Sequence, residues 1–289
     1  MKELTDRVAV ITGGGSERGI GRATGTLLAE QGMKLVLADI DGAALATTVQ
    51  DLRSRGAEAI GVETDVSDYT SVKQLAATAY EHYGEVNVAL FNAGVGGGGS
   101  FFDDDMEAWH RVIGVNLLGV LHGIKAFVPR MIESGAPGHV LATSSGAGAH
   151  GVMYTGASYA TTKQAVCTLM ECLYGQLRDQ GSQIRTTVVC PPLTRSNLAG
   201  APAAMDFVAQ GLEASGIPTV LVEPEDVAAF TLEAIREETF WVHPTHEQDE
   251  RITQGALKSQ IDWQDEIVRA RADAIIRRSA PDPYLWGQA

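Results

Sequence analysis

The chain has 289 residues, 45% of them hydrophobic, and carries a formal net charge of -14 from 22 basic and 36 acidic side chains. It is long enough to bury one large α/β core, while the acidic balance excludes general binding to nucleic acid or anionic membranes, which needs clustered Lys and Arg. No uninterrupted apolar run of about 18 residues occurs, the start lacks an export-signal pattern, and Cys167, Cys172 and Cys190 show neither metal-ligand nor disulfide spacing, so a soluble cytoplasmic chain with reduced thiols is expected.

Val8–Thr12 is a β-branched run that stops at Gly13-Gly14-Gly15, and after Gly19-Ile20-Gly21 a helical period begins with Ala23, Leu27 and Leu28. Strand, glycine turn and helix in that order let a backbone pass close to a pyrophosphate, with free N–H groups and a positive dipole end at the helix start. A second strand, Lys34–Ala38, ends at Asp39, 18 residues beyond Gly21, where an acid reaches the ribose hydroxyls of a bound dinucleotide. Asp41 remains available to cap the helix that follows.

Helices near Gly42–Arg55 and Tyr69–Tyr83 alternate with strands near Ala59–Thr64 and Val86–Phe91, the pattern of a parallel sheet covered on both faces. Asp65-Val66 and Asn92-Ala93-Gly94, which runs into Gly96–Gly99, sit at strand ends bordering the ligand crevice. Asp103-Asp104-Asp105 precedes a helix containing Trp109, Asn116, His122 and Lys125 and is read as capping, not as a metal site.

A strand near His139–Thr143 leads into Ser144-Ser145 and a loop bearing His150, Val152, Met153 and Tyr154; a long helix follows from Ser158 to about Asp179. On that helix Tyr159 and Lys163, four apart, share a face, so both side chains serve one small site. A free tyrosine loses its proton near pH ~10, and a cationic neighbour lowers that value. Ser145 is placed to hold a substrate oxygen against the tyrosine.

The strand Thr186–Cys190 ends at Pro191-Pro192, which fix a turn and set Thr194 and Ser196 just past the sheet edge. From there to about Ile217 the periodicity is weak, as for a mobile segment over a pocket. Glu223 starts a helix through Arg236, and Phe240–Val242 makes a final strand. Residues 1–245 thus form one domain, and residues 246–289 a helical extension packed on the core or on a neighbouring subunit. His243-Pro244-Thr245-His246 is read as structural, and no metal site is expected.

Together these residues resemble the short-chain dehydrogenase/reductase family over about Val8 to Val242. Thr12-Gly13, Gly15, Gly19 and Gly21, with Ile20 between, resemble its glycine turn. Asp65-Val66 resembles its adenine contact, Asn92-Ala93-Gly94 its sheet motif, and Pro191 through Ser196, with Thr194, its nicotinamide-binding segment. Asn116, Ser145, Tyr159 and Lys163 match its catalytic tetrad. The glycine turn is two residues longer than the family's between Thr12 and Gly19, Phe91 and Pro192 stand where Asn and Gly are usual, and the loop from Ser145 to Tyr159 is one residue longer.

The resemblance implies a single doubly wound α/β domain of the Rossmann type and hydride exchange between a nicotinamide and the CH–OH carbon of a small-molecule alcohol or ketone. Tyr159 exchanges the hydroxyl proton, Ser145 orients the substrate oxygen, and Lys163 lowers the tyrosine pKa and holds the nicotinamide ribose. Asn116 supports a water that leads protons to solvent. It also implies a homotetramer, or a homodimer, paired through the Asp105–Met131 and Tyr159–Gln180 helices. Arg18 resembles the basic residue of NADP-dependent members and Asp39 the NAD determinant. NAD is expected over NADP, because the carboxylate repels a 2′-phosphate and Ile40 supplies no cation to offset it. The apolar loop residues favour a hydrophobic alicyclic, steroid-like or aromatic secondary alcohol. The rivals are enoyl reduction, epimerisation or dehydration on the same scaffold, and a nucleotide-sensing protein without chemistry.

Overall fold

The computed structural model describes residues 1–97, 101–102, 106–150, 156–199, 202–214 and 221–242. The acidic triplet Asp103–Asp105, the loop residues Val152, Met153 and Tyr154, the side chain of His150, the His243–His246 pair and the extension 246–289 lie outside the described residues.

Strands and helices alternate as the hydrophobic periods require: β1 (Val8–Thr12), α1 (Ile20–Glu30), β2 (Lys34–Asp39), α2 (Gly42–Ser54), β3 (Ala59–Glu63), α3 (Tyr69–Tyr83) and β4 (Val88–Phe91). The second half continues with α4 (Met106–Ile113), a π-helical turn (Gly114–Leu118), α5 (Gly119–Ser134), β5 (Gly138–Thr143), α6 (Gly146–His150), α7 (Ala157–Asp179) and β6 (Ile184–Val189). Then come β7 (Leu193–Thr194), a short 3-10 turn (Asn197–Ala199), α8 (Pro202–Ala214), β8 (Leu221–Val222), α9 (Pro224–Glu237) and β9 (Trp241–Val242). Among the described residues, seven strands pair in parallel in the order β3-β2-β1-β4-β5-β6-β9. The sheet is therefore doubly wound, and the order reverses between β1 and β4, where the loops after both strands open a crevice.

Period-two alternation sorts the core into two layers. Val8 and Val10 of β1 face a layer with Val72 and Leu75 of α3, Phe127 and Met131 of α5, and Val166 and Met170 of α7. Ala9 and Ile11 face the other, with Leu28 of α1, Leu45 and Leu52 of α2, and Ile235 of α9. The run Met106–Ser134 is long and apolar enough by composition to cross a membrane; here its Val112, Val120, Phe127 and Met131 are buried. Phe91, in place of the family's Asn, is buried against Phe127, their centroids 6.2 Å apart, and a Cβ on Gly123 would collide with its ring. The exchange moves an aromatic side chain into the sheet–α5 interface.

Three elements depart from the sequence reading. The loop after Ser145 begins with the short α6, whose start is tied by Gly146 N–H donating to the Pro191 carbonyl at 2.7 Å. The segment after Ser196 contains α8, with Pro202 at its first position and Met205 and Ala209 buried one turn apart. β7 pairs in parallel with β8, with Leu193 opposite Leu221 and Thr194 opposite Val222. That pairing joins residues too far apart in the chain for a local pattern to reveal.

Candidate active site

The C-terminal ends of β4 and β5, the π turn and the start of α7 meet around Tyr159 and Lys163. α7 begins after Gly156, whose φ of +83° is the left-handed conformation that glycine adopts freely. Tyr159 is half-buried, and the Ser145 side chain lies beside its phenol. Lys163 is only 3% exposed; its Nζ donates to the Thr143 carbonyl at 2.9 Å and lies 5.6 Å from the centroid of the Tyr159 ring. The structure brings Tyr159, Ser145 and Lys163 close together.

Asn116 joins them through the π turn. Its fully buried amide accepts from Val95 N–H at 2.8 Å and donates to the Val95 carbonyl at 3.0 Å, with Thr162 Oγ1 at 3.4 Å. A single-residue change of helical register aims a side chain that an unbroken α-helix would carry past the strand loop. Between these groups lies Gly94: a Cβ there would meet Lys163 Nζ at 3.3 Å and Asn116 Oδ1 at 3.4 Å. Gly97 likewise backs onto Tyr159, since a Cβ would meet its amide nitrogen at 2.9 Å.

Electrostatics modify one expectation. Burial pushes the Tyr159 phenol above its ordinary 10.0; the Ser145 side chain pulls it back and the Cys190 thiol adds to the rise. Lys163 is not what dominates at the phenol. Its own ammonium is pushed down from 10.5 to about 8 by burial, with Cys167 and Cys190 acting in the opposite direction. At neutral pH it stays largely charged and lends the site a positive field.

The glycine turn forms the other half of the crevice. A Cβ on Gly21 would collide with the Gly13 carbonyl oxygen, so the helix start lies directly against the turn. α1 has Gly19 at its N-cap, no capping side chain and no acid in its first turn, leaving its N–H groups to an anion. Asp39 is fixed at the end of β2: Oδ2 accepts from Gly15 N–H at 2.8 Å and Oδ1 from Asp41 N–H at 3.1 Å. Asp41 caps α2 through Ala43 and Ala44. Arg18 is drawn away to Glu223, Nη2 to Oε2 at 3.1 Å.

Asp65 accepts from Ser67 N–H and Oγ at 2.8 and 2.7 Å, and the Val66 carbonyl takes the His122 Nδ1 hydrogen at 2.9 Å. Asn92 is occupied within the protein: its Nδ2 donates to the Thr12 and Gly13 carbonyls at 3.1 and 3.3 Å, and its Oδ1 accepts from Thr143 Oγ1 at 3.1 Å. It locks β1, β4 and β5 together below the crevice. Ala93 N–H and Asn92 N–H both donate to Thr12 Oγ1, at 3.1 and 3.0 Å. Thr194 Oγ1 donates to the Pro192 carbonyl at 3.0 Å, and Ser196 is buried nearby.

Sequence reasoning placed Thr12 in the glycine turn without its hydrogen bonds to Asn92 and Ala93, and gave no role to Thr143, which donates to Asn92. It also missed Ser144, whose buried hydroxyl donates to the Lys163 carbonyl at 2.7 Å and accepts from the Cys167 thiol at 3.2 Å. The only local signal was a hydroxyl at each strand end.

Comparison with known proteins places this geometry. The family model "short chain dehydrogenase" matches residues 7–206. The 1-deoxy-11-beta-hydroxypentalenate dehydrogenase of Streptomyces exfoliatus is 34% identical over 244 residues, 83% of each chain. A short chain dehydrogenase/reductase from Burkholderia phymatum, solved in complex with NAD, superposes with a TM-score of 0.77 at 35% identity, over 99% of this chain and 100% of that one. An alcohol dehydrogenase from Thermococcus sibiricus, complexed with 5-hydroxy-NADP, gives 0.67 at 26% identity over 82% and 94%. The probable oxidoreductase EphD of Mycobacterium tuberculosis is 34% identical over 208 residues, and this chain spans only about a third, 34%, of its length. With the family's model covering most of the chain, this protein belongs to the short chain dehydrogenase family.

Proposed function

We propose that the protein is an NAD-dependent dehydrogenase that interconverts a secondary alcohol and its ketone. Four groups from three parts of the chain, Asn116 of the π turn, Ser145 after β5, and Tyr159 and Lys163 of α7, converge beside a glycine cradle, and this convergence carries the reading. Gly13, Gly15, Gly19 and Gly21 would hold the pyrophosphate, Asp39 the adenosine ribose, Asp65 and Val66 the adenine. Lys163 and the Pro191–Ser196 segment would hold the nicotinamide end. When bound, a nicotinamide supplies the acceptor or donor of hydride. Tyr159 takes the hydroxyl proton in oxidation and returns it in reduction, Ser145 keeps the substrate oxygen against the phenol, and the Lys163 ammonium offsets the cost of the phenolate.

NAD is favoured over NADP because the Asp39 carboxylate is pinned by two amides and cannot turn aside from a 2′-phosphate, while Arg18, the nearby cation, is engaged by Glu223. Relatives of the family are solved with either cofactor type, so the chain's own residues decide. The test is kcat/KM with each cofactor on a panel of secondary alcohols: equal use, or preference for NADP, defeats the assignment.

The substrate is proposed as a hydrophobic secondary alcohol, supported by the pentalenate dehydrogenase relative and by the apolar loop residues after Ser145. Activity confined to small sugars would reject it. A homotetramer or homodimer is proposed through the Asp105–Met131 and Tyr159–Gln180 helices, since Leu118, at the end of the π turn, and Ile132 of α5, next to the first of these, are each 38% exposed. Light scattering that returns a monomer would reject this.

A further inference from the structure

The crevice between β1 and β4 is bridged by residues 195–198. On one side Asn197 Nδ2 donates to Ser16 Oγ in the glycine turn at 3.2 Å. On the other, a Cβ on Gly96, in the loop after β4, would lie 3.3 Å from the Leu198 carbonyl oxygen. The bridge thus lies over the point where strand order reverses.

Ion pairs hold it there. Arg195 donates through Nε and Nη2 to Asp206 Oδ1 of α8 at 3.0 and 2.9 Å, and through Nη1 to Glu223 Oε1 at 2.7 Å. Glu223 Oε2 takes Arg18 Nη2 at 3.1 Å. One carboxylate therefore joins an arginine of the bridge to an arginine of the glycine turn. Its backbone is anchored separately, Glu223 N–H donating to Asp226 Oδ2 at 2.9 Å at the start of α9. The pairs are partly exposed, Arg18 by 51% and Glu223 by 38%, so salt weakens them.

We propose that Glu223 is a positioning residue that clasps the 195–198 bridge down across the dinucleotide crevice, so that release of the dinucleotide requires the clasp to open and is governed by ionic strength. The inference rests on the dinucleotide reading above. An arginine of the bridge and one of the glycine turn share one carboxylate, and removing its charge frees the bridge from the turn while leaving Asp39, the glycines and the tetrad in place.

The experiment is stopped-flow displacement of NADH, and separately NADPH, followed by nicotinamide fluorescence in about 0.01 M and about 1 M NaCl. In the wild type, release accelerates roughly 3- to 10-fold with salt, as for a small network of solvent-exposed pairs. Glu223→Gln releases fast at low salt and shows no further acceleration, and Asp206→Asn, which loosens Arg195 from its other end, moves part of the way. Wild-type rates and salt profile in Glu223→Gln overturn the clasp while leaving dinucleotide binding intact. Absence of binding of either nucleotide to the wild type overturns both readings.

Discussion

Lys163→Met tests whether the site is built at the expense of stability. The Lys163 ammonium is 3% exposed and its pKa falls from 10.5 to about 8, with burial as the leading cause. Below pH 8 both folded and unfolded chains carry the proton and the folded state bears the full burial penalty; above 10.5 both are neutral and none remains. In between, the unfolded chain binds more protons, so stability contributed by this group rises with pH. At ~1.4 kcal/mol per pH unit the interval amounts to ~3 kcal/mol. Methionine removes that penalty but leaves the Thr143 carbonyl without its donor, a loss of ~1–3 kcal/mol. Near pH 7 the variant is therefore as stable as the wild type or up to ~2 kcal/mol more so, and the advantage reverses by about pH 10. Urea unfolding of both proteins at intervals from pH 7 to 10, with matching m-values, measures the difference. A difference that stays constant with pH refutes the buried-ammonium account.

Three further predictions draw on separate parts of the molecule. His139 is fully buried, with Nε2 on Thr187 Oγ1 at 2.7 Å, and burial pushes its pKa from 6.5 to about 3. The unfolded chain takes up that proton first as pH falls, so stability is lost from about 6.5 downward at up to ~1.4 kcal/mol per pH unit, and His139→Gln should flatten this slope in acid-unfolding curves; an unchanged slope rejects it. Tyr159→Phe should lower kcat by about 10²–10⁴-fold or more while NADH affinity by fluorescence titration stays within a few-fold, and undiminished turnover removes the phenol from its role. Phe91→Asn, which installs the family's usual residue, should cost about 3–5 kcal/mol in chemical unfolding, because an amide replaces a ring filling the space at Gly123; a near-neutral effect means the core there can collapse.

The seven-stranded sheet was legible because its strands are short apolar runs between glycine and helical periods, and such runs in a parallel sheet are buried on both faces. The Tyr159–Lys163 spacing was legible because a helix converts four residues into one turn. What escaped the sequence depends on contacts between distant residues. The π turn that aims Asn116 is closed by Gly119 N–H bonding the Gly114 carbonyl, and it carries the Asn116 amide onto Val95, 21 residues away; nothing in Gly114–Leu118 alone marks it. α6 is Gly-Ala-Gly-Ala-His and rests on the Pro191 carbonyl, so its local pattern is that of a loop. The effect of Lys163 on the phenol was also read from proximity alone. A helical spacing specifies that two side chains are neighbours, but the balance between desolvation and attraction depends on what covers them, and here the cover comes from β5, β6 and the loop after β4. The same reasoning applies to Arg18. In the sequence it is a free cation beside a glycine and argues for NADP, yet its partner Glu223 lies 205 residues along the chain. A charge's preference for a ligand is set by the counter-charge it must leave, and only the fold reveals that counter-charge.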